Sequence, residues 1–142
     1  MEIEQRQNME QNKAIIRRLF DEALNRGKLE LVEELFSADF VDHSTPEQRS
    51  GPAGVRDFFV EVRSNVPDIQ VTIADMIAEG NRVVVRTLWR NSVGTSHDES
   101  GSYSASDGPK SKQINGRLIQ IFHLENGRIV EEWNEGSGLT EA

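Results

Sequence analysis

The hydrophobic pattern of this chain changes its period from 3.6 residues to 2 residues near position 68. Before that position, apolar residues recur as in amphipathic helices, which are predicted over residues 8–25, 29–36 and 51–66. After it, apolar and polar residues alternate, which predicts strands over residues 68–78, 82–91, 110–124 and 128–135. Helices followed by strands predict an α+β domain, in which three N-terminal helices pack on a curved antiparallel sheet of four or more strands.

The connecting segments refine this outline. Asn126-Gly127 is typical of a tight hairpin between the last two strands, and residues 38–44 are extended in character. Residues 92–108 carry six serines and three glycines, a composition that cannot pack into a core, so they are predicted to form a mobile loop. The whole chain is expected to be a single domain, 1–142, with flexible tails at residues 1–8 and 136–142.

Composition narrows the classes of function. The 142 residues have a formal net charge of −8, and an acidic surface repels phosphate backbones, so nucleic acid is not an expected partner. No apolar stretch is long enough for a membrane span. The chain has no cysteine, which excludes disulfides and thiolate chemistry and fits a reducing compartment. Together with a polar N-terminus, these features lead us to expect a cytoplasmic protein that does not bind membranes.

Three motifs, in their order and spacing, carry a resemblance to a known family. They are Phe-Val-Asp-His at 40–43, Gly-Pro-Ala-Gly-Val at 51–55 and Glu-Asn-Gly-Arg-Ile-Val-Glu-Glu-Trp at 125–133. From about Glu10 to Trp133, the chain resembles the SnoaL-like polyketide cyclases, which share the nuclear-transport-factor-2-like fold. The resemblance implies a cone-shaped barrel, a pocket between helices and sheet, and a homodimer.

The family's founding members close a ring by intramolecular aldol condensation, without a metal or an organic cofactor. The resemblance therefore implies a cofactor-independent cyclase or isomerase that acts on a small apolar or carbonyl-containing molecule. The family's acid/base is an aspartate, and its position corresponds to Gln120, which cannot exchange a proton at neutral pH. The alternative function is a non-catalytic domain that binds a small ligand in the same pocket.

An enolising enzyme needs a general base and a hydrogen-bond donor in a dry pocket. His43 is the candidate base, because histidine titrates near neutrality and the catalytic aspartate of the related ketosteroid isomerases lies near this position. Gln120 is the candidate donor, and both side chains are predicted to point into one cavity. The alternative for His43 is a structural histidine at the pocket rim. Asp42 is not expected to orient it, because neighbours on an extended segment point to opposite sides.

The predicted pocket wall includes apolar residues of the helix stripes, residues that share a strand face with Gln120, and one residue each from the second and the fourth predicted strand. They are Phe20, Phe58, Phe59, Arg86, Leu118, Phe122 and Trp133. Arg86 has the alternative of pairing across the sheet, and Trp133 of a dimer contact or a core position. His97 and Tyr103 reach the ligand only if the mobile loop closes. The three histidines lack metal-site spacing, so no metal is expected, and no Asp-Arg-Asp set for epoxide hydrolysis is identified.

Overall fold

The structure is a computed structural model, and it describes residues 2–44, 51–91 and 113–136. Its helical elements are α1 (Glu2–Arg18), a π-helical segment (Leu19–Leu24), α2 (Leu31–Leu35) and α3 (Gly51–Asn65). Its strands are β1 (Phe36–Asp42), β2 (Ile69–Glu79), β3 (Arg82–Asn91), β4 (Asn115–Glu125) and β5 (Arg128–Gly136). The predicted loop 92–108 and the tail after Gly136 lie outside the described residues.

The five strands form one sheet in the order β1-β5-β4-β3-β2. This confirms the α+β class, with helices packed against a sheet, and corrects one detail of the prediction. The extended segment around residue 40 is a fifth strand, and it pairs with β5 in parallel, so the sheet is mixed rather than fully antiparallel. Local pattern shows that a segment is extended, but the choice of partner and direction comes from tertiary packing.

The first helix begins at Glu2, six positions before the predicted start at Asn8. Residues 2–8 are exposed and helical, in place of the flexible tail that we expected. Glu, Gln and Arg in this stretch favour helix intrinsically, but they give no apolar stripe by which a period could be detected.

The end of the first helix widens into the π-helical segment, where the amide of Asn25 donates to the carbonyl of Phe20 across 2.9 Å. The extra residue in this turn leaves all four of its apolar side chains buried: Leu19, Phe20, Ala23 and Leu24. The side chain of Asn25 then exchanges two hydrogen bonds with the backbone of Val71, over 2.9 and 2.8 Å. These bonds attach the helix end to β2, so the wide turn is held over the sheet.

The two faces of the sheet differ in character. On the inner face, Val83, Val85 and Trp89 of β3 are buried, and Phe20 packs edge-on against Trp89 with ring centroids 6.1 Å apart. On the outer face, Ile77 and Ile119 are exposed. The predicted hairpin is confirmed, with positive φ at Asn126 and Gly127 between β4 and β5. None of the helices in the described ranges is long and apolar enough to cross a membrane.

Candidate functional site

A cavity of about 360 Å³ lies between the helices and the inner face of the sheet. Its wall is largely aromatic and includes Phe20, Phe36, Phe40, Phe58, Phe59, Trp89 and Phe122. Polar side chains line one part of it: Asp42 from β1, Gln120 from β4, and Glu132 and Asn134 from β5. Glu61 of α3 also borders the cavity. An apolar chamber with a few convergent polar groups is the usual form of a small-molecule site.

Two of these polar residues are directly paired. Asp42 and Glu132 are opposite one another in the parallel β1–β5 ladder, so their side chains leave the sheet on the same face. One oxygen of Asp42, Oδ1, accepts the backbone N–H of Ser44 over 2.8 Å. This bond holds the carboxylate in the turn after β1 and leaves its other oxygen without that contact.

A β-bulge determines which side of β5 faces the cavity. Leu124 pairs with Ile129, but the preceding residue His123 pairs with Glu131, so Val130 is an extra residue in β5. Without the bulge, alternation from the buried Ile129 would turn residues 131 and 133 inward. With it, Glu132 and Asn134 line the cavity. Bulges commonly re-aim side chains next to functional sites.

The environment of Glu132 favours its neutral form. Burial raises the pKa of this carboxyl to about 8, and the negative charge of Asp42 acts in the same direction. Hydrogen bonds from Asn134 and Gln120 favour the charged form and offset part of this rise in pKa. At neutral pH Glu132 is therefore mostly protonated, which allows it to donate a proton inside the cavity.

Gln120 contacts Glu132 directly. Its side-chain amide nitrogen Nε2 donates to Oε2 of Glu132 over 3.1 Å. Its carbonyl oxygen Oε1 accepts the hydroxyl of Thr87 over 2.8 Å. Both ends of the amide are thus occupied, as a buried glutamine requires. Of the residues predicted from sequence, Gln120 lies on the cavity wall with Phe20, Phe58, Phe59, Leu118 and Phe122.

His43 is not on that wall, and the structure does not bring it together with Gln120. Its Nε2 lies 3.0 Å from Oε2 of Glu131, and its ring stacks on Trp133 with centroids 4.9 Å apart. Glu131 and Trp133 occupy the face of β5 that is turned away from the cavity. The pairing of His43 with Gln120 in one cavity is therefore wrong. Asp42 and His43 do point to opposite sides, but Asp42 is the inward one.

The outer-face contacts of Glu131 form a small charged cluster. Hydrogen bonds from His123 and then from His43 lower the pKa of the Glu131 carboxyl, although burial opposes them. The ring of His123 is 2.7 Å from Glu131 through Nδ1 and 2.7 Å from Glu125 through Nε2. These bonds tie the turn after β1 to the outer face of the β4–β5 pair.

Two further residues predicted on the pocket wall lie elsewhere. Arg86 is exposed and pairs across the sheet with Asp75 of β2, with Nε donating to Oδ2 over 2.8 Å. Trp133 lies on the outer face, with the guanidinium of Arg82 5.1 Å from its ring centroid. The bulge at Val130 turns Trp133 outward, whereas unbroken alternation from the buried Ile129 would turn it inward. His97 and Tyr103 lie outside the described residues.

Sequence reasoning missed Glu132 and did not assign Asp42 to the site. The sequence did offer a signal for Asp42. Because it directly precedes His43 on an extended segment, the two side chains face opposite sides, and one of them faces the cavity. No local pattern indicated Glu132, because the alternation of apolar and polar residues along a strand does not reveal a bulge of one residue. No group of histidine, cysteine and carboxylate residues in the described ranges is arranged to hold a metal ion.

Helices packed on a five-stranded mixed sheet define an α+β domain with the nuclear-transport-factor-2-like fold. The family model for the SnoaL-like polyketide cyclases matches residues 14–139, and the chain belongs to this family. Members of this family bind small-molecule substrates. No curated protein matches the chain.

Solved structures share the fold. A candidate polyketide cyclase from Bacillus cereus ATCC 10987 is 25% identical, with a TM-score of 0.68 over 88% of this chain and 73% of its own. A candidate SnoaL-like polyketide cyclase from Jannaschia sp. CCS1 is 20% identical, with a TM-score of 0.68 over 89% and 85%. An LEH-like epoxide hydrolase of M. tuberculosis is 13% identical, with a TM-score of 0.67 over 91% and 84%. Cyclase and hydrolase descriptions thus occur on one fold, so the site must decide the chemistry.

Proposed function

We propose that the protein is a cofactor-independent enzyme that enolises a small, mostly apolar carbonyl compound and so catalyses its cyclisation or isomerisation. The observation that carries this proposal is the carboxyl pair of Asp42 and Glu132 in an aromatic cavity. Pairs of titratable groups whose environments differ are a common basis for separate acid and base roles.

The proposed roles follow from the raised pKa of Glu132 beside the negative charge of Asp42. The carboxylate of Asp42 removes a proton from the carbon next to the substrate carbonyl. Glu132, protonated at neutral pH, donates its proton to the carbonyl oxygen as the C–H bond breaks, and an enol forms. In the first route, the nucleophilic carbon of the enol attacks a second carbonyl in the same molecule, Asp42 passes the proton that it took to that carbonyl oxygen, and the enol O–H returns its proton to Glu132. In the second route, Asp42 protonates a conjugated enol at another carbon, and the enol O–H again returns its proton to Glu132. The first route closes a ring and the second isomerises the substrate.

The charge of the cavity favours a substrate without negative charge. Asp42, Glu61 and Glu132 are the ionisable residues that line it, and no lysine, arginine or histidine in the described ranges does so. An anionic ligand would meet carboxylates in a medium of low polarity, where like charges repel strongly. The volume of about 360 Å³ lies toward the lower end of the range of small-molecule pockets, which suits one compact ligand.

A non-catalytic binding domain is the second candidate, and Gln120 is the observation that favours it. The residue occupies the position of the family's catalytic aspartate, and an amide cannot exchange a proton there. On this view Glu132 and Asp42 only bind polar groups of the ligand. The two candidates differ in whether a bound ketone exchanges its α-protons.

Deuterium exchange into a neutral cyclic ketone separates them. We expect the protein to accelerate exchange at the α-carbon of 1-tetralone in D2O, followed by proton NMR. Glu132→Gln should lower the exchange rate by about 10²–10⁴, because the acid is lost while shape is retained. Glu135→Gln, at the exposed end of the same strand, is the matched control. Binding of 1-tetralone with no exchange above buffer would favour the binding domain. A carboxylated tetralone should bind more weakly than 1-tetralone.

We also propose that the protein is a cytoplasmic homodimer. The family resemblance supports a dimer through the sheet, and the exposed Ile77 and Ile119 on its outer face supply apolar surface for it. The acidic, cysteine-free composition supports a reducing compartment.

A further inference from the structure

A line of three hydrogen bonds runs across the inner face of the sheet and ends on Glu132. The indole Nε1–H of Trp89 donates to Oγ1 of Thr87 over 3.0 Å. The hydroxyl of Thr87 donates to Oε1 of Gln120 over 2.8 Å. Nε2 of Gln120 donates to Oε2 of Glu132 over 3.1 Å. Trp89, Thr87 and Gln120 are all at least nine-tenths buried, so bulk solvent has little access to them.

The direction of these bonds is fixed at one end. An indole N–H can only donate, so the hydroxyl oxygen of Thr87 must accept from Trp89. In the structure, the single proton of that hydroxyl is donated to the carbonyl oxygen of Gln120. An amide with its oxygen held in this way turns its nitrogen toward Glu132. With Trp89 on one lone pair of the Thr87 oxygen, the hydroxyl proton faces the carbonyl oxygen of Gln120, and the amide nitrogen faces Glu132.

We propose that Trp89, Thr87 and Gln120 form a one-way hydrogen-bond chain that positions the carboxyl of Glu132 and determines which of its oxygens carries the exchangeable proton. Because Oε2 accepts from Gln120, the proton of the neutral carboxyl is carried by Oε1. The three residues are positioning residues and act on the reaction only through Glu132. This inference rests on the proposed function for its catalytic meaning, although its structural content can be measured without turnover.

The chain also explains why an amide occupies position 120. A carboxylate there would accept from Thr87 equally well, but it would place a second acceptor against Oε2 of Glu132. The two acids would then share a proton. The glutamine supplies an acceptor on one side and a donor on the other, which neither aspartate nor glutamate can do when ionised.

Other groups around Glu132 act on its titration and must be kept constant in a test. Asp42 of β1 faces it as a negative charge, and Asn134 of β5 hydrogen-bonds to it. Glu61 of α3 borders the same cavity, and the π-helical segment presents apolar Leu19 and Phe20. None of these is altered by a substitution at position 87.

The test is the titration of Glu132 in Thr87→Val, followed by carbon-13 NMR of its side-chain carboxyl. Without the hydroxyl, Gln120 is free to turn its oxygen toward Glu132, which favours the protonated acid. The pKa of Glu132 should rise by on the order of one unit, a tenfold change in its acid dissociation constant. Thr87→Ser keeps the hydroxyl and should titrate as the wild type does. Equal titration of Thr87→Val and the wild type would overturn the proposal.

A second measurement uses the unaltered protein, in case Thr87→Val does not fold. In the wild type, the nitrogen-15 and proton signals of the Gln120 side-chain amide should shift with the same midpoint as the Glu132 carboxyl, since Nε2 faces it. In Glu132→Gln that titration should vanish. If the amide signals of Gln120 do not shift as Glu132 ionises, the proposed hydrogen-bond chain is refuted.

Failure of this inference and failure of the proposed function give different results. If Glu132→Gln abolishes ketone exchange while Thr87→Val leaves the titration of Glu132 unchanged, the proposed enzymatic function is supported and the hydrogen-bond chain is rejected. If the titration of Glu132 shifts as expected in Thr87→Val while the α-protons of 1-tetralone do not exchange, the hydrogen-bond chain is supported and the non-catalytic binding domain is favoured.

Discussion

Asp42 and Glu132 occupy directly paired positions on parallel neighbouring strands, and both side chains line the same aromatic cavity. Along the sequence they are 90 positions apart, and each lies beside a residue that faces the other way. Burial raises the pKa of Glu132, and the nearby negative charge of Asp42 adds to this rise. This relation places two carboxyl groups in one cavity, as the proposed acid and base roles require, and most of the following predictions test it.

The stability of the protein should decrease as pH rises from about 4.5 to about 8. The pKa of Glu132 is raised from 4.5 to about 8 in the folded state, so across this window the folded state holds more protons than the unfolded state. The free energy of unfolding then falls by at most about 1.4 kcal/mol per pH unit from this group. Glu132→Gln should remove this slope and be more stable than the wild type at pH 9. Urea unfolding at several pH values measures it, with Glu135→Gln as control; equal slopes in both variants would contradict the prediction.

Asp42→Asn should lower the pKa of Glu132, because it removes the negative charge that opposes ionisation. It should also lower ketone exchange by about 10²–10⁴, since it removes the base. Carbon-13 NMR gives the first effect and the 1-tetralone assay the second. Asp39→Asn, an exposed position on the same strand, is the matched control and should change neither quantity. A normal exchange rate in Asp42→Asn would exclude this residue as the base.

His43→Ala should leave ketone exchange at the wild-type rate, because its ring lies on the outer face against Glu131 and Trp133. The loss of the ring contact and the hydrogen bond should cost about 1 kcal/mol of stability. The pKa of Glu131 should rise toward its ordinary value, since His43 is one of the two residues that lower it. Exchange assays and thermal unfolding test these effects together. A large loss of exchange in a folded His43→Ala protein would restore this residue to the reaction.

Ile119→Glu should weaken self-association if the outer face of the sheet forms the proposed dimer. Ile119 is 50% exposed on this face, and a charge there would be buried in the interface. Ile3→Glu is the matched control, because Ile3 is 66% exposed on the first helix. Sedimentation equilibrium at micromolar concentration should show a dimer for the wild type and for Ile3→Glu, and a larger monomer fraction for Ile119→Glu. A wild type that is monomeric throughout would contradict the assembly.

Much of the fold was open to prediction because it depends on local order. The change of period near residue 68 separates helices from strands, and Asn126-Gly127 adopts the positive φ values of the hairpin that its composition favours. Gln120, Leu118 and Phe122 share the inner face, because β4 has no irregularity in that stretch. Each of these features depends on neighbours within a few residues, so the sequence by itself determined them.

The polar part of the cavity was decided by tertiary structure alone. The parallel pairing of β1 with β5 brings Asp42 opposite Glu132, and no local pattern specifies a partner across 90 residues. The extra residue Val130 turns Glu132 inward and Trp133 outward, which reverses the parity that simple alternation predicts. Burial between strands and helices then raises the pKa of Glu132, and burial is a property of the assembled core rather than of the chain. The sequence determined which segments are strands, and the packing of those strands determined which carboxyl faces the cavity.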